Sequence, residues 1–294
     1  MFSFKKVTAA NIESLVEFSE LKLWEPHYPK LLVQRFLTEL VSSSDSILDL
    51  HDANGRIAAA VLLDRVSNPA QLACLEILGL RNGIDQDLVL RKITEMALRL
   101  RTKNYQGFLI NLPYKNTLAL KTVASLGYRS HYDTFEMRNE SLPSVRAAPS
   151  EIREAGLTDA DQIYDVLCAA FAKSLDTNIV ERAIWKKGFL SSPEAHFFVW
   201  TEGGEMLGFA SLFEDVEEGE TELRSIGVVP PARGRGIGRH LLYHCLAKTE
   251  CMGFSKCRLT VTVTNEKAMD LYVRAGFVAF NKFRCLRKDF NTKI

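Results

Sequence analysis

Apolar residues recur along this chain in two rhythms, and the same succession of rhythms comes round twice. Apolar/polar alternation predicts strands at residues 2–7, 46–51, 56–66, 71–79 and 107–111. A second set is predicted at 151–155, 196–201, 206–213, 220–229 and 256–264, and the run from Arg258 to Thr264 alternates without a break. Helical spacing is clearest after residue 236, where Ile237, Leu241 and Cys245 form one stripe with Leu242 and Leu246 beside it. Thr8 or Asn11 in the first half, and Thr158-Asp159 in the second, carry side chains able to accept from first-turn amides and so predict helix starts.

The repetition extends to residue identity. Asn116, Ala119, Gly127 and Tyr128 return as Asn265, Ala268, Gly276 and Phe277, each 149 positions on. Residues 140–150 lack apolar periodicity and carry Pro143 and Pro149, which predicts a linker. The expected organisation is therefore a unit over 1–139, a linker over 140–150 and a second unit over 151–294. Each unit is expected to be α/β, with a mixed sheet flanked by helices.

Between the predicted strand at 220–229 and the helix after it lies Arg233-Gly234-Arg235-Gly236-Ile237-Gly238-Arg239. Glycines let successive backbone N–H groups point into one concavity, and a helix start adds unpaired donors and a positive dipole end. Arginine forks grip phosphate oxygens, so this turn is suited to a pyrophosphate. No Lys-Ser or Lys-Thr follows, which excludes a Walker loop. The third glycine comes one position too early for a dinucleotide fingerprint, and 255–260 has no carboxylate to meet a ribose. At the 149-residue offset, Ile84, Asp85, Gln86, Asp87 and Val89 stand where Arg233, Gly234, Arg235, Gly236 and Gly238 stand later. Two carboxylates would repel a pyrophosphate while capping their own helix, so the first half is expected to have lost this site.

The pattern R-x-x-G-x-G on Arg233, Gly236 and Gly238 resembles the coenzyme A loop of the GNAT superfamily of N-acetyltransferases. The pattern N-x-x-A-x-x-L-Y-x-x-x-G-F from Asn265 to Phe277 is similar to that family's other signature, and the likeness is tight over 222–277. It implies two tandem GNAT-like units, the first degenerate, with acetyl-CoA as co-substrate. It places the pyrophosphate on Arg233, Gly234, Arg235, Gly236, Ile237, Gly238 and Arg239, and the pantetheine arm on the backbone of Ile226, Gly227 and Val228. It implies that the Val228 amide faces the thioester oxygen and that Asn265 reaches the arm. Tyr272 is the implied acid for the leaving thiolate, its phenol keeping its proton at neutral pH. Glu222 is the candidate base, expected to share a strand face with Arg224, Ile226 and Val228. The implied acceptor is the primary amine of a small molecule, set by residues 171–189, among them Lys173, Asp176, Glu181, Trp185 and Lys186. A protein or peptide amine, an enzyme similar to mycothiol synthase, or a coenzyme-binding sensor that acylates nothing, stands as the alternative.

Composition narrows this little. The chain has 294 residues, 37 basic and 36 acidic side chains and a formal net charge of +1, which gives no electrostatic reason to expect nucleic acid or an anionic membrane. No apolar run approaches the roughly 20 residues of a membrane span, and 1–6 has no signal-peptide apolar core, so a cytosolic protein is expected. Six cysteines without a C-x-x-C pair read as reduced thiols. His240, His244 and Cys245 lack the further ligands of a metal site, and none is expected. Glu214, Asp215, Glu217, Glu218 and Glu220 around Gly219 read as a solvated hairpin tip. The aromatic, proline-bounded run from Leu23 to Pro29 reads as a hydrophobic plug of the first unit.

Overall fold

The computed structural model describes residues 3–6, 47–51, 57–65, 72–80, 85–99, 106–142, 149–174, 179, 182–183, 185–186 and 193–290. The helix starts proposed at Thr8 or Asn11, the run from Leu23 to Pro29, and Asp176 and Glu181 lie outside them. Among the described residues, twelve strands and five longer helices follow one another in the order β1 (Ser3–Lys6), β2 (Ile47–His51), β3 (Ile57–Arg65), β4 (Leu72–Leu80), α1 (Gln86–Arg99), β5 (Gly107–Pro113), α2 (Thr117–Ser125) and β6 (Arg129–Asn139). Then come β7 (Ile152–Glu154), α3 (Ala160–Phe171), β8 (Ala195–Glu202), β9 (Glu205–Asp215), β10 (Glu220–Val228), α4 (Ile237–Cys251), β11 (Cys257–Thr262), α5 (Glu266–Arg274) and β12 (Val278–Asp289).

Contacts divide the chain into two units, residues 1–133 with 282–294, and residues 134–281. This differs from the division at 139 and 151 read from the sequence, and strand pairing is the reason. In the first unit the order is β1-β2-β3-β4-β5, closed by the later part of β12, whose residues Phe283 to Asp289 run antiparallel to Gly107 to Pro113 of β5. In the second it is β6-β11-β10-β9-β8-β7, opened by the later part of β6, where Thr134 to Asn139 pair with Cys257 to Thr262. Each unit thus takes its closing strand from the far end of the other half of the sequence. Among the described pairings only β4 with β5, and β10 with β11, are parallel, each joined by the crossover helix such a pair requires.

The apolar stripes predicted from spacing are buried. Ile237, Leu241, Leu242, Cys245 and Leu246 of α4 pack with Ala210, Leu212, Leu223, Leu259 and Phe277, while Ile163, Val166 and Leu167 of α3 pack with Val199 and Phe209 on the opposite face. The first unit has its own core around Val89, Leu90, Ile93, Phe108 and Ile110, and Phe290 enters it edge-on to Phe108 at 4.7 Å between ring centres. At the α3 start, Asp159 turns back: it accepts from Gly156 N at 2.7 Å and pairs with Arg153, instead of capping the helix that follows.

The internal repeat holds at the level of hydrogen bonds. Asn116 Oδ1 accepts from Ala119 N at 3.1 Å, and Asn265 Oδ1 accepts from Ala268 N at 3.3 Å, capping α2 and α5 alike. Both helices end the same way, with Tyr128 N donating to Val123 O at 3.1 Å and Phe277 N to Tyr272 O at 3.0 Å. These identities mark a shared fold built twice.

Candidate functional site

β10 and β11 are paired only at Thr221–Cys257, Glu222–Arg258 and Leu223–Leu259. On its other side β10 follows β9 all the way to Val228, with a register shift between Leu223 and Ser225. The extra residue, Arg224, is a bulge, and from there the two parallel strands part. Neighbouring N–H groups on a strand point to opposite sides. Val229 N donates to Leu207 O of the β9 side at 3.0 Å, so the amides of Val228 and Ile226 face the gap that β11 has left. Gly227, between them, closes the other surface: a Cβ there would come within 2.6 Å of Phe209 Cε1 and 3.1 Å of Ala170 Cβ. Its bare backbone lets the end of α3 approach β10.

The bulge also corrects the face assigned to Glu222. Before it, Glu222 stands opposite Phe213, and Leu223 stands opposite Leu212 on the α4 side. After it, Ile226 and Val228 occupy the α4 side, whereas Ser225 and Gly227 share the α3 side with Glu222. One inserted residue reverses the alternation, and Glu222 does not share a face with Ile226 and Val228.

Beyond β10 the chain makes a 3-10 turn over Pro230–Ala232 and reaches Gly234 and Gly236, with φ of 81° and 84°. Both lie in the left-handed region that side chains rarely tolerate, and Gly236 is the residue before α4. His240 is the first residue whose N–H turns back into the helix, onto Gly236 O at 3.1 Å, so the amides of Ile237, Gly238 and Arg239 are left facing outward. A Cβ on Gly238 would meet Val228 Cγ2 and Ile226 Cγ2 at an ordinary 3.8 and 3.9 Å. The cradle is open, rich in N–H donors and contiguous with the gap, as an arm ending in a pyrophosphate requires.

The three arginines are not equivalent, as the sequence reading had them. Arg233 donates through Nε to Val228 O at 3.1 Å and through Nη2 to Ala170 O at 2.6 Å, buckling the turn to β10 and to the end of α3. Arg235 is held by Glu202. Arg239 is exposed and makes no ion pair among the described residues. Arg239 and the remaining Nη1 of Arg233 are thus the side-chain donors left for a phosphate.

On the other wall, α5 presents Tyr272, packed against the same apolar cluster as Ile226, Val228 and Ile237, with its ring 5.8 Å from that of Phe277. Asn265 caps this helix, its side chain accepting from Ala268 N. One cluster therefore gathers the strand edge, the start of the glycine-flanked helix and the tyrosine.

Glu222 belongs to a charged group that the sequence did not reveal. Arg258 of β11, with 6% of its side chain exposed, lies 3.1 Å from Asp215, 3.1 Å from Glu220, 3.3 Å from Glu222 and 3.6 Å from Glu136. Arg138 adds a second guanidinium 2.8 Å from Glu220, and Arg224 Nε donates to Glu222 Oε2 at 3.2 Å. Burial pushes the carboxyls of Asp215 and Glu220 up from their ordinary range, against the pull of Arg258 and, at Glu220, Arg138. Burial opposes the charge of Arg258, but Glu222, Asp215, Glu220 and Glu136 together outweigh it and raise its pKa. The acidic run at 214–220 is therefore not wholly a solvated tip: Asp215 and Glu220 are 1% and 3% exposed because Arg258 stands between them, and only 216–219 turn through solvent. Replacing Arg258 by Met should destabilise the second unit by about 3 kcal/mol, since it strands several buried carboxylates. Urea unfolding at neutral pH would measure this, and an unchanged midpoint would contradict it.

The first unit keeps the gap but not the cradle. β4 pairs with β5 only from Leu72 to Leu75, although it runs on to Leu80. At the start of α1, Asp85 Oδ1 accepts from Asp87 N at 3.0 Å and Leu88 N at 3.2 Å. Asp87 is taken by Arg91 at 2.7 Å and by Thr122. The helix starts put Asp85 in the place of Gly236, two residues away from the 149-residue offset. The carboxylate now occupies the amides that the second unit leaves free.

Elsewhere, His240 packs on Trp200 and His244 meets Phe198 edge-on at 4.6 Å, and burial lowers the pKa of His244. Among the described residues no group of three or more His, Cys, Asp or Glu is placed to hold a metal, and no helix is long and apolar enough to cross a membrane.

Comparison with known proteins agrees with this geometry. Residues 160–277 match the model of the acetyltransferase (GNAT) family. The chain is 26% identical over 134 residues to an aminoalkylphosphonate N-acetyltransferase of Salmonella typhimurium, covering 43% of this chain and 84% of that protein. It is 35% identical over 83 residues to a mycothiol acetyltransferase of Streptomyces avermitilis, covering 28% of this chain and 27% of that protein. Over its whole length it shares a fold with a tandem GNAT protein of the clavulanic acid biosynthesis pathway, at a TM-score of 0.73 and 12% identity, with all of both chains covered. It is thus the second unit, over residues 160–277, that matches the acetyltransferase (GNAT) family.

Proposed function

We propose that the second unit moves the acetyl group of acetyl-CoA to the primary amine of a small molecule. The observation that carries this reading is the parting of β10 from β11 beside an amide-rich helix start. Those two features give a thioester-bearing arm a strand edge to pair with and its pyrophosphate a cradle. Small-molecule acceptors are also named for the two relatives above.

With the pyrophosphate at Gly234 to Arg239, the arm enters the gap at its Val228 end and runs toward Arg224. Val228 and Ile226 offer the free amides along that path, and a backbone donor fixed before the reaction stabilises oxygen charge without reorganising. The amine nitrogen forms a bond to the acetyl carbon, and the carbon–sulfur bond breaks. The ammonium must shed a proton first, and the departing sulfur must receive one. Tyr272 gives that proton from its phenol. Glu222, whose Oε2 is taken by Arg224 and Arg258, has Oε1 to accept the ammonium's proton, directly or through water.

Tyr272→Phe should lower kcat by about 100-fold while acetyl-CoA still binds, the loss expected of a general acid. Acetyl-CoA consumption over a panel of amines, with products identified by mass, measures the first part and calorimetry the second. A coenzyme-binding sensor would show no turnover in the wild type. Mass gained by a polypeptide instead of a metabolite would favour a protein acceptor.

A further inference from the structure

We infer that Arg258 is a positioning residue for the transfer: from the strand beside the gap it fixes one oxygen of Glu222, so that the other meets the incoming amine. The inference rests on the acetyl-transfer reading above and adds a residue to the same site.

Glu222 and Arg258 face each other across the middle one of the three positions that join β10 to β11, and the strands part just beyond, at Arg224. Paired residues of neighbouring strands project from the same face, so the guanidinium lies beside the carboxylate. Arg258 Nη2 donates to Glu222 Oε2 at 3.3 Å, and Arg224 Nε donates to the same oxygen at 3.2 Å. Two donors on Oε2 leave Oε1 as the oxygen for the ammonium's proton.

Arg258 is itself held. Its Nη2 also donates to Asp215 Oδ2 at 3.1 Å, its Nε stands 3.1 Å from Glu220 Oε1, and its Nη1 stands 3.6 Å from Glu136 Oε1. A planar fork pinned on three further carboxylates, and almost closed to solvent, can pin a fourth group in turn. Charge points the same way. Arg138, Arg224 and Arg258 stand among Asp215, Glu136, Glu220 and Glu222, so the carboxylates outnumber the guanidiniums by one. Asp215, Glu220 and Glu136 are at most 7% exposed, whereas Glu222 is 23% exposed. A surplus negative charge costs least on the member nearest water. That member borders the gap, where a proton acceptor is needed.

The test measures transfer from acetyl-CoA to tyramine, ethanolamine, 2-aminoethylphosphonate and spermidine. The best-used of these is then followed through pH in wild type, Arg258→Lys, Arg258→Gln, Glu222→Gln and the double variant Arg258→Gln/Glu222→Gln. Arg258→Gln should lower kcat by about tenfold or more. It should also move the acid limb of the rate profile up by about one pH unit, since a carboxylate that loses a neighbouring cation holds its proton more tightly. Arg258→Lys keeps the charge and loses the fork, so its limb should stay within about half a unit of wild type while kcat still falls severalfold. KM for acetyl-CoA should be unchanged in both. In the Glu222→Gln background, Arg258→Gln should cost less than about a further twofold, as expected of a residue that acts through another. Thermal unfolding identifies the folded variants, and Arg258→Lys carries the test if Arg258→Gln does not fold. An equal loss with and without Glu222, an acid limb unmoved in Arg258→Gln, or wild-type kcat in Arg258→Lys would each overturn the inference. A wild type that transfers to none of the four amines would sink the acetyl-transfer reading, and this inference with it.

Discussion

Gly236→Asp is expected to weaken acetyl-CoA binding by about 10³-fold, or about 4 kcal/mol, while the fold survives. Gly236 sits before α4 at a φ of 84°, where aspartate is strained less than a branched residue would be. Its carboxylate would accept from the outward amides of the first turn, as Asp85 does at α1. Such a cap strengthens a helix by about 1 kcal/mol, which offsets part of the strain. The same charge stands where a doubly ionised pyrophosphate must come to rest. Titration calorimetry measures the affinity and thermal unfolding measures the fold. Binding that persists at wild-type strength would place the coenzyme elsewhere.

Ending the chain at Asn281 is expected to unfold the first unit. The missing segment supplies Phe283, Cys285, Leu286 and Phe290, all buried, and the ladder from Gly107 to Pro113 of β5. At ~1.5–3 kcal/mol for each large apolar side chain, the loss exceeds about 5 kcal/mol, comparable to the whole stability of an ordinary domain. Hydrogen exchange should show β4, β5 and α1 open while β9 and β10 stay protected. Retained protection in β5 would refute the strand assignment.

Much of this architecture was legible before any coordinates. The stripe from Ile237 to Leu246 and the alternation after Arg258 each sit against one apolar core, so their sequence period survives in the structure. The duplicated motif was legible because Asn116 and Asn265 perform the same backbone task. The closing strands β6 and β12 were not. Their charged residues face other charges instead of water: Asp133 holds Arg284 at 2.8 Å and Lys282 at 2.9 Å, and Glu136 lies by Arg258. Paired in this way, the charges blur the alternation that marks a strand. The bulge at Arg224 was equally hidden, since an inserted residue changes the side-chain phase without any marker in residue type. That one shift moved Glu222 to the opposite face. The anchoring of Arg233 on Val228 O and Ala170 O depends on α3 arriving from 63 residues upstream, which no local pattern records.

Because the closing strand of the first unit is the last to be made, synthesis and folding run in opposite order. Residues 1–133 leave the ribosome early, yet β5 waits with an unpaired edge until residues 283–289 emerge. Such an edge invites pairing with a foreign strand in the interval. On a translating ribosome, the half of the protein that begins first is the half that finishes last.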